Sequence, residues 1–149
     1  MDILTAENAI VTRLEDQIKS TLTSDFKAPK ISSFPQDPTT YFENINAQGE
    51  ILVRFNGALP SIPEPNRESV ITQDCPIDWS IWIVSPNLKT HTGVYNWIDK
   101  VKDALTGWAL TEWADSTPFY CTNIQFIDED GGNWFYEMTF QHVLKESEP

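Results

Sequence analysis

The chain has 149 residues, 40% apolar and 12% aromatic, with ten Lys plus Arg against 22 Asp plus Glu and a formal net charge of −12. That length fits one domain able to bury roughly two-thirds of its unfolded surface, and the apolar content excludes an intrinsically disordered chain. The acidic balance excludes binding that works by neutralising phosphates, so neither nucleic acid nor an anionic membrane surface is an expected partner.

No apolar run approaches the roughly 20 residues of a membrane helix. The start, Met1-Asp2-Ile3-Leu4-Thr5, lacks the basic and apolar stretches of a signal peptide. Cys75 and Cys121 stand apart with no CxxC, which favours two reduced thiols over a disulfide. Together these features point to the cytoplasm.

In chain order, Thr5 to about Thr23 predicts a helix. Ala6, Ile10, Leu14, Ile18 and Leu22 recur every fourth residue, with Thr5 as N-cap and Glu7 in the first turn. A polar stretch from Ser24 to Thr40 contains a short extended piece at Ile31–Phe34, before Pro35. Tyr41–Asn46 reads as another short strand, and Glu50–Asn56 as a clearer one between Gly49 and Gly57. Gly57–Pro76 carries Pro60, Pro63, Pro65 and Pro76 and reads as a long arm without regular structure, a kind of loop that usually has a function.

Ile77–Val84 has the strongest strand pattern. Ile77, Trp79, Ile81 and Ile83 take one face, while Trp82 and Val84 imply that its far end is covered on the other face too. Thr92 caps a second helix whose stripe is Val94, Ile98, Val101 and Leu105, and Gly107 ends it. Pro118–Ile127 and Asn133–Leu144 form a closing hairpin around Asp128–Gly132, and the tail 145–149 reads as fraying. The order α-β-β-β-α-β-β implies an α/β (α+β) class. It would be a single domain over residues 1–149, with two helices packed on a mostly antiparallel or mixed sheet of about four to five strands.

The sequence offers little chemistry. Cys75, His91, Cys121 and His142 show none of the local spacing of zinc sites. Asp128-Glu129-Asp130-Gly131-Gly132 fails the calcium-loop pattern, since position 5 from Asp128 is Gly132 and position 12 is Thr139. There is no GxSxG elbow and no phosphate loop. His91 with Asp99 forms a base–orienter pair only if a nucleophile joins them. No catalytic residue, metal or cofactor is therefore expected, and the chain is not expected to be an enzyme. Six Trp exceed the needs of one modest core, so Trp82, Trp108 and Trp113, together with Pro60, Pro63 and Pro65 of the arm, are the candidate interface residues.

A resemblance rests on ordered short motifs. They are Leu52-Val53-Arg54-Phe55-Asn56-Gly57, Ile81-Trp82-Ile83-Val84 and Asn87-Leu88, followed by Gly93-Val94-Tyr95 and Ile98-Asp99-Lys100-Val101. Ala104-Leu105-Thr106-Gly107-Trp108 and the closing Trp134-Phe135-Tyr136-Glu137-Met138-Thr139-Phe140 complete the set. From about Ala6 to Val143 the chain resembles the small tail proteins of Mu-like contractile-tailed phages that belong to the tail-terminator, or tail completion, group. The resemblance implies a homo-hexameric ring, assembled in the host cytoplasm, that caps the tail tube and stops its polymerisation. It implies contacts with the tube protein, the last sheath ring and the neck or connector protein, at the neck-proximal end of the virion tail. Genomic DNA would pass through the acidic lumen without specific binding. Competing expectations are a head–tail connector, the cap of a phage-derived contractile injection particle, and a monomeric binding module or inhibitor.

Overall fold

The computed structural model describes residues 2–22, 28–60, 71–111, 113 and 115–148, with backbone alone for 71–73 and 146–148. The elements are α1 (Ile3–Ser20), β1 (Lys30–Ser33), α2 (Pro38–Tyr41), β2 (Glu50–Ala58), β3 (Ile71–Ser85), α3 (Val94–Leu105), β4 (Tyr120–Asp130) and β5 (Asn133–Glu148). They form an α+β fold with one mixed sheet, ordered β1-β2-β3-β5-β4. Apart from one-turn α2, this is the expected order of elements.

α1 begins two residues earlier than its periodicity implies. Asp2, not Thr5, is the N-cap: it accepts hydrogen bonds from Thr5 N (3.1 Å) and Thr5 Oγ1 (2.7 Å), and these bonds hold its carboxyl below the usual range. A carboxylate closes the end better than a hydroxyl because it meets the positive end of the helix dipole. The earlier start also puts Glu7 beyond the first turn. Ala6, Ile10, Leu14 and Ile18 are buried as the spacing requires. α1 lies beside α3, and Arg13 Nε donates to Ala104 O at 2.9 Å while its guanidinium sits over Trp108.

Both helices cover the same sheet face. Beneath them Ile51, Val53, Ile77, Trp79, Ile81, Ile83, Met138 and Phe140 are sealed from solvent. α3 buries Val94, Trp97, Val101, Ala104 and Leu105, while Ile98 stays half-buried. Its N-cap is Gly93 rather than Thr92; Thr92 instead offers its carbonyl to Ser85 Oγ and Trp97 Nε1. A Cβ on Gly93 would lie 2.6 Å from the carbonyl carbon of Leu88, so close packing of the preceding loop requires glycine there. Gly107 follows α3 at φ +81°, as its position implies.

The expected strand at Tyr41–Asn46 is absent. Pro38 instead starts a helical turn, with Tyr41 at its end, because its fixed φ and missing N–H suit the first helical position. This segment lies over the second sheet face, where Phe34, Phe42, Trp82 and Phe135 meet edge to face. Leu52, Val84 and Glu50 are buried there as well, so the far end of β3 is covered on both sides.

The long arm is shorter than its prolines implied. β2 runs to Ala58 and β3 starts at Ile71, leaving 59–70 as the connection. Pro76 lies within β3, paired with Val143, and its carbonyl accepts from Leu59 N at 2.9 Å. Of the tail expected to fray, residues 145–148 continue β5, with Glu148 paired with Ile71, and Pro149 lies outside the described residues. The hairpin turn shrinks to Gly131-Gly132, at φ +59° and +86°, the backbone of a type I′ turn.

Candidate functional site

The burial that hides the apolar stripes of α1, α3 and β3 does not extend to β4. From Thr122 to Asp130 every residue is exposed, because β4 lies outside the helix layer with β5 on one side alone. Ile124 and Phe126 point to the helix-covered side, since they pair with Met138 and Tyr136. Phe126 is 52% exposed and rests against Trp134 and Tyr136, and Tyr136 in turn meets the exposed Tyr95 of α3. Burial pushes the Tyr136 phenol up, with Tyr95 adding to the shift. The result is an apolar ledge that continues the core face with no cover. A groove of about 390 Å³ between Lys102 of α3 and Cys121–Ile124 of β4 extends it.

From Pro118 through Ile127 the sequence has no charged residue. Soluble proteins usually blunt a free edge strand with charge, proline or bulges. Here charge is confined to Asp128, Glu129 and Asp130 at the tip, and bulges sit at Thr122 and Ile127. The tip carboxylates shape the turn: Asp128 Oδ1 accepts from Glu129 N and Glu129 Oε1 from Gly132 N, at 2.8 and 2.9 Å.

The opposite edge is β1, four residues long and parallel to β2. Lys30 at its start lies over the Tyr41 ring and 3.9 Å from Glu50. Its ammonium pKa is raised, chiefly by the Tyr41 hydroxyl, and Tyr41 itself is raised by burial and by its hydrogen bond to Glu50. Oε2 of Glu50 is buried without a hydrogen-bond partner among the described residues.

The residues singled out from sequence do not converge. Trp82 belongs to the aromatic cluster on the second face, with Arg54 over its ring. Trp108 is half-buried between Arg13 and Phe119. Trp113 is 7% exposed and stacks on His142. Pro60 is exposed just after β2, and Pro63 and Pro65 lie outside the described residues. His91 is exposed in the loop before α3, and its carbonyl accepts from Asn96 Nδ2 at 2.6 Å.

His142 lies beside a hydroxyl. Ser116 Oγ lies 2.7 Å from its Nδ1, and Trp79 Nε1 lies 3.0 Å from its Nε2. An indole N–H only donates, so Nε2 supplies the lone pair and the ring hydrogen sits on Nδ1, facing Ser116. A base that activates serine needs the reverse arrangement. The imidazole is sandwiched between Trp113 and Phe119 and fully buried, which pushes its pKa down to about 4. This pair pins the segment before β4 onto β5, where Thr117 N also reaches Val143 O. Among the described residues no group of three or more His, Cys, Asp or Glu is placed to hold a metal ion, and no helix is long and apolar enough to cross a membrane.

The decisive comparison is with protein families. Residues 18–144 match the model of the Gp37 protein, which covers every strand core and α3. The chain belongs to the Gp37 family. This is a phage-related family, so the chain is a phage-type protein, as the ordered motifs implied. Comparison with curated proteins gave no match. The chain thus presents one helix-covered sheet with a long apolar edge that no further strand covers among the described residues. That edge, Tyr120, Ile124, Phe126 and Ile127, escaped the sequence reading; its signal was the uncharged run from Pro118 to Ile127.

Proposed function

We propose that this member of the Gp37 family is a structural tail protein that acts as a tail terminator: a ring of identical subunits that caps the tail tube, stops its growth and presents a docking surface to the neck. The observation that carries this reading is β4, an apolar strand open on both faces in a phage-family chain. Ring subunits need unlike surfaces that meet head to tail and close, and a five-stranded sheet with two different edges, each without a further strand among the described residues, supplies them. The inverted Ser116–His142 hydrogen bond supports a role without catalysis.

In this reading the tube protein, the last sheath ring and the neck protein are the partners, and DNA passes through the lumen without specific contacts. The net charge of −12 favours that passage, because phosphates meet repulsion rather than counterion-releasing lysines. The subunit would belong to the neck-proximal end of the virion tail. A connector or the cap of an injection particle shares the same surface logic and differs in what it stops.

The test is to add purified protein to polymerising tail tubes and measure tube length. Shortened tubes with rings at their ends are expected; overlong tubes at saturating protein refute the terminator role.

A further inference from the structure

We propose that β4 of one copy pairs edge to edge with β1 of the next, antiparallel, so that one sheet runs on from subunit to subunit. This rests on the reading that the chain assembles with itself, and it names the surface used.

Direction comes first. β1 runs parallel to β2, and β2–β3, β3–β5 and β5–β4 are each antiparallel. β4 therefore runs opposite to β1. A second copy placed beside the first, with its helices on the same side, brings its β1 antiparallel to β4. No flip is needed, so the relation is a rotation that a ring can close.

Register comes second. Across the sheet one row reads Lys30, Glu50, Val84, Phe135, Asp128. Continuing the rows level sets Lys30 of the second copy opposite Asp128, a directly facing pair of opposite charges. The next rows set Ile31 opposite Phe126, Ser32 opposite Gln125 and Ser33 opposite Ile124. Ile31 and Phe126 then share the helix-covered side, because Ile51 and Ile83 in their row are buried under the helices. The polar pair falls on the opposite side. A slip of one residue would exchange these sides.

Length comes third. Between the bulges at Thr122 and Ile127, Ile124–Phe126 takes Ser33, Ser32 and Ile31, and the Ile127 bulge carries the fourth residue of β1, Lys30, to Asp128. Among the described residues no strand and no backbone hydrogen bond occupies the outer side of β1. Phe126, Ile124 and the Tyr95–Tyr136 ledge gain the cover they lack in one chain.

Facing residues of an antiparallel pair have Cα atoms about 5 Å apart, within disulfide reach. Ser32→Cys and Gln125→Cys are introduced together on a Cys75→Ala, Cys121→Ser background, oxidised, and run on a non-reducing gel, with negative-stain images of the same sample. A ladder of covalent multimers up to the ring, absent from either single variant, is expected. Asp128→Lys should weaken assembly about fivefold with the fold intact by circular dichroism. Rings without a ladder overturn the edge pairing and leave the ring reading standing. Dimers from Gln125→Cys alone overturn it in favour of a twofold β4–β4 contact. A background protein that stays monomeric at high concentration overturns both.

Discussion

β3 and β4 are both long, apolar strands of one sheet, and they end in opposite environments. In β3 every residue from Ile77 to Val84 on the helix side is sealed, with β2 and β5 as neighbours and α1 and α3 above. In β4 Phe126 and Ile124 carry comparable side chains and stand in solvent. The difference is one of position: a strand with two strand neighbours and a helix is core, and the same chemistry with one neighbour is a contact surface. Apolar content therefore says that a strand will be covered, and topology says by whom.

The largest test of that contrast removes the centre. Trp79→Ala opens a cavity and strips His142 Nε2 of its donor; a loss of about 3–5 kcal/mol in urea unfolding is expected. Acid comes next. The folded His142 pKa is about 4 against 6.5 in the unfolded chain, so the unfolded state binds the extra proton first. The stability this group contributes is full above about pH 6.5, is lost as pH falls to about 4, and amounts to about 3 kcal/mol. His142→Gln should flatten that part of the pH profile, leaving the carboxylate part.

Gly93→Ala should cost about 2 kcal/mol, since its methyl meets the Leu88 backbone and the loop must shift; thermal unfolding measures it. Phe126→Ser should change the stability of the isolated chain by at most about 0.5 kcal/mol while weakening assembly. A large loss of monomer stability would show that β4 belongs to the core after all.

Much of the fold was legible because its signals were local. Ile77, Trp79, Ile81 and Ile83 alternate, and the α1 stripe repeats every fourth residue, so one face of each element declares itself. The one-turn helix at Pro38 was hidden by the aromatic pair Tyr41–Phe42, which suits a strand equally well. Strand ends at Ile71 and Glu148 were hidden by polar residues that are held by pairing with each other across the chain. The site was less legible. Trp82, Trp108 and Trp113 stood out by size, yet rings of that size serve cores as readily as surfaces. Ile124 and Phe126 look like ordinary strand residues until the sheet order puts them on the rim.

The two-glycine turn has a kinetic consequence. A hairpin closed by Gly131-Gly132 needs only neighbouring residues to meet and forms within about 1–10 μs. β3 must find β5 across a far longer loop, pairing Ile71 with Glu148. The adhesive rim is thus built before the hydrophobic centre is complete, and newly made chains pass through a stage in which the rim competes with β3 for partners. Slower synthesis at lower temperature should accordingly raise the soluble yield, since it keeps unfinished chains dilute while the centre closes.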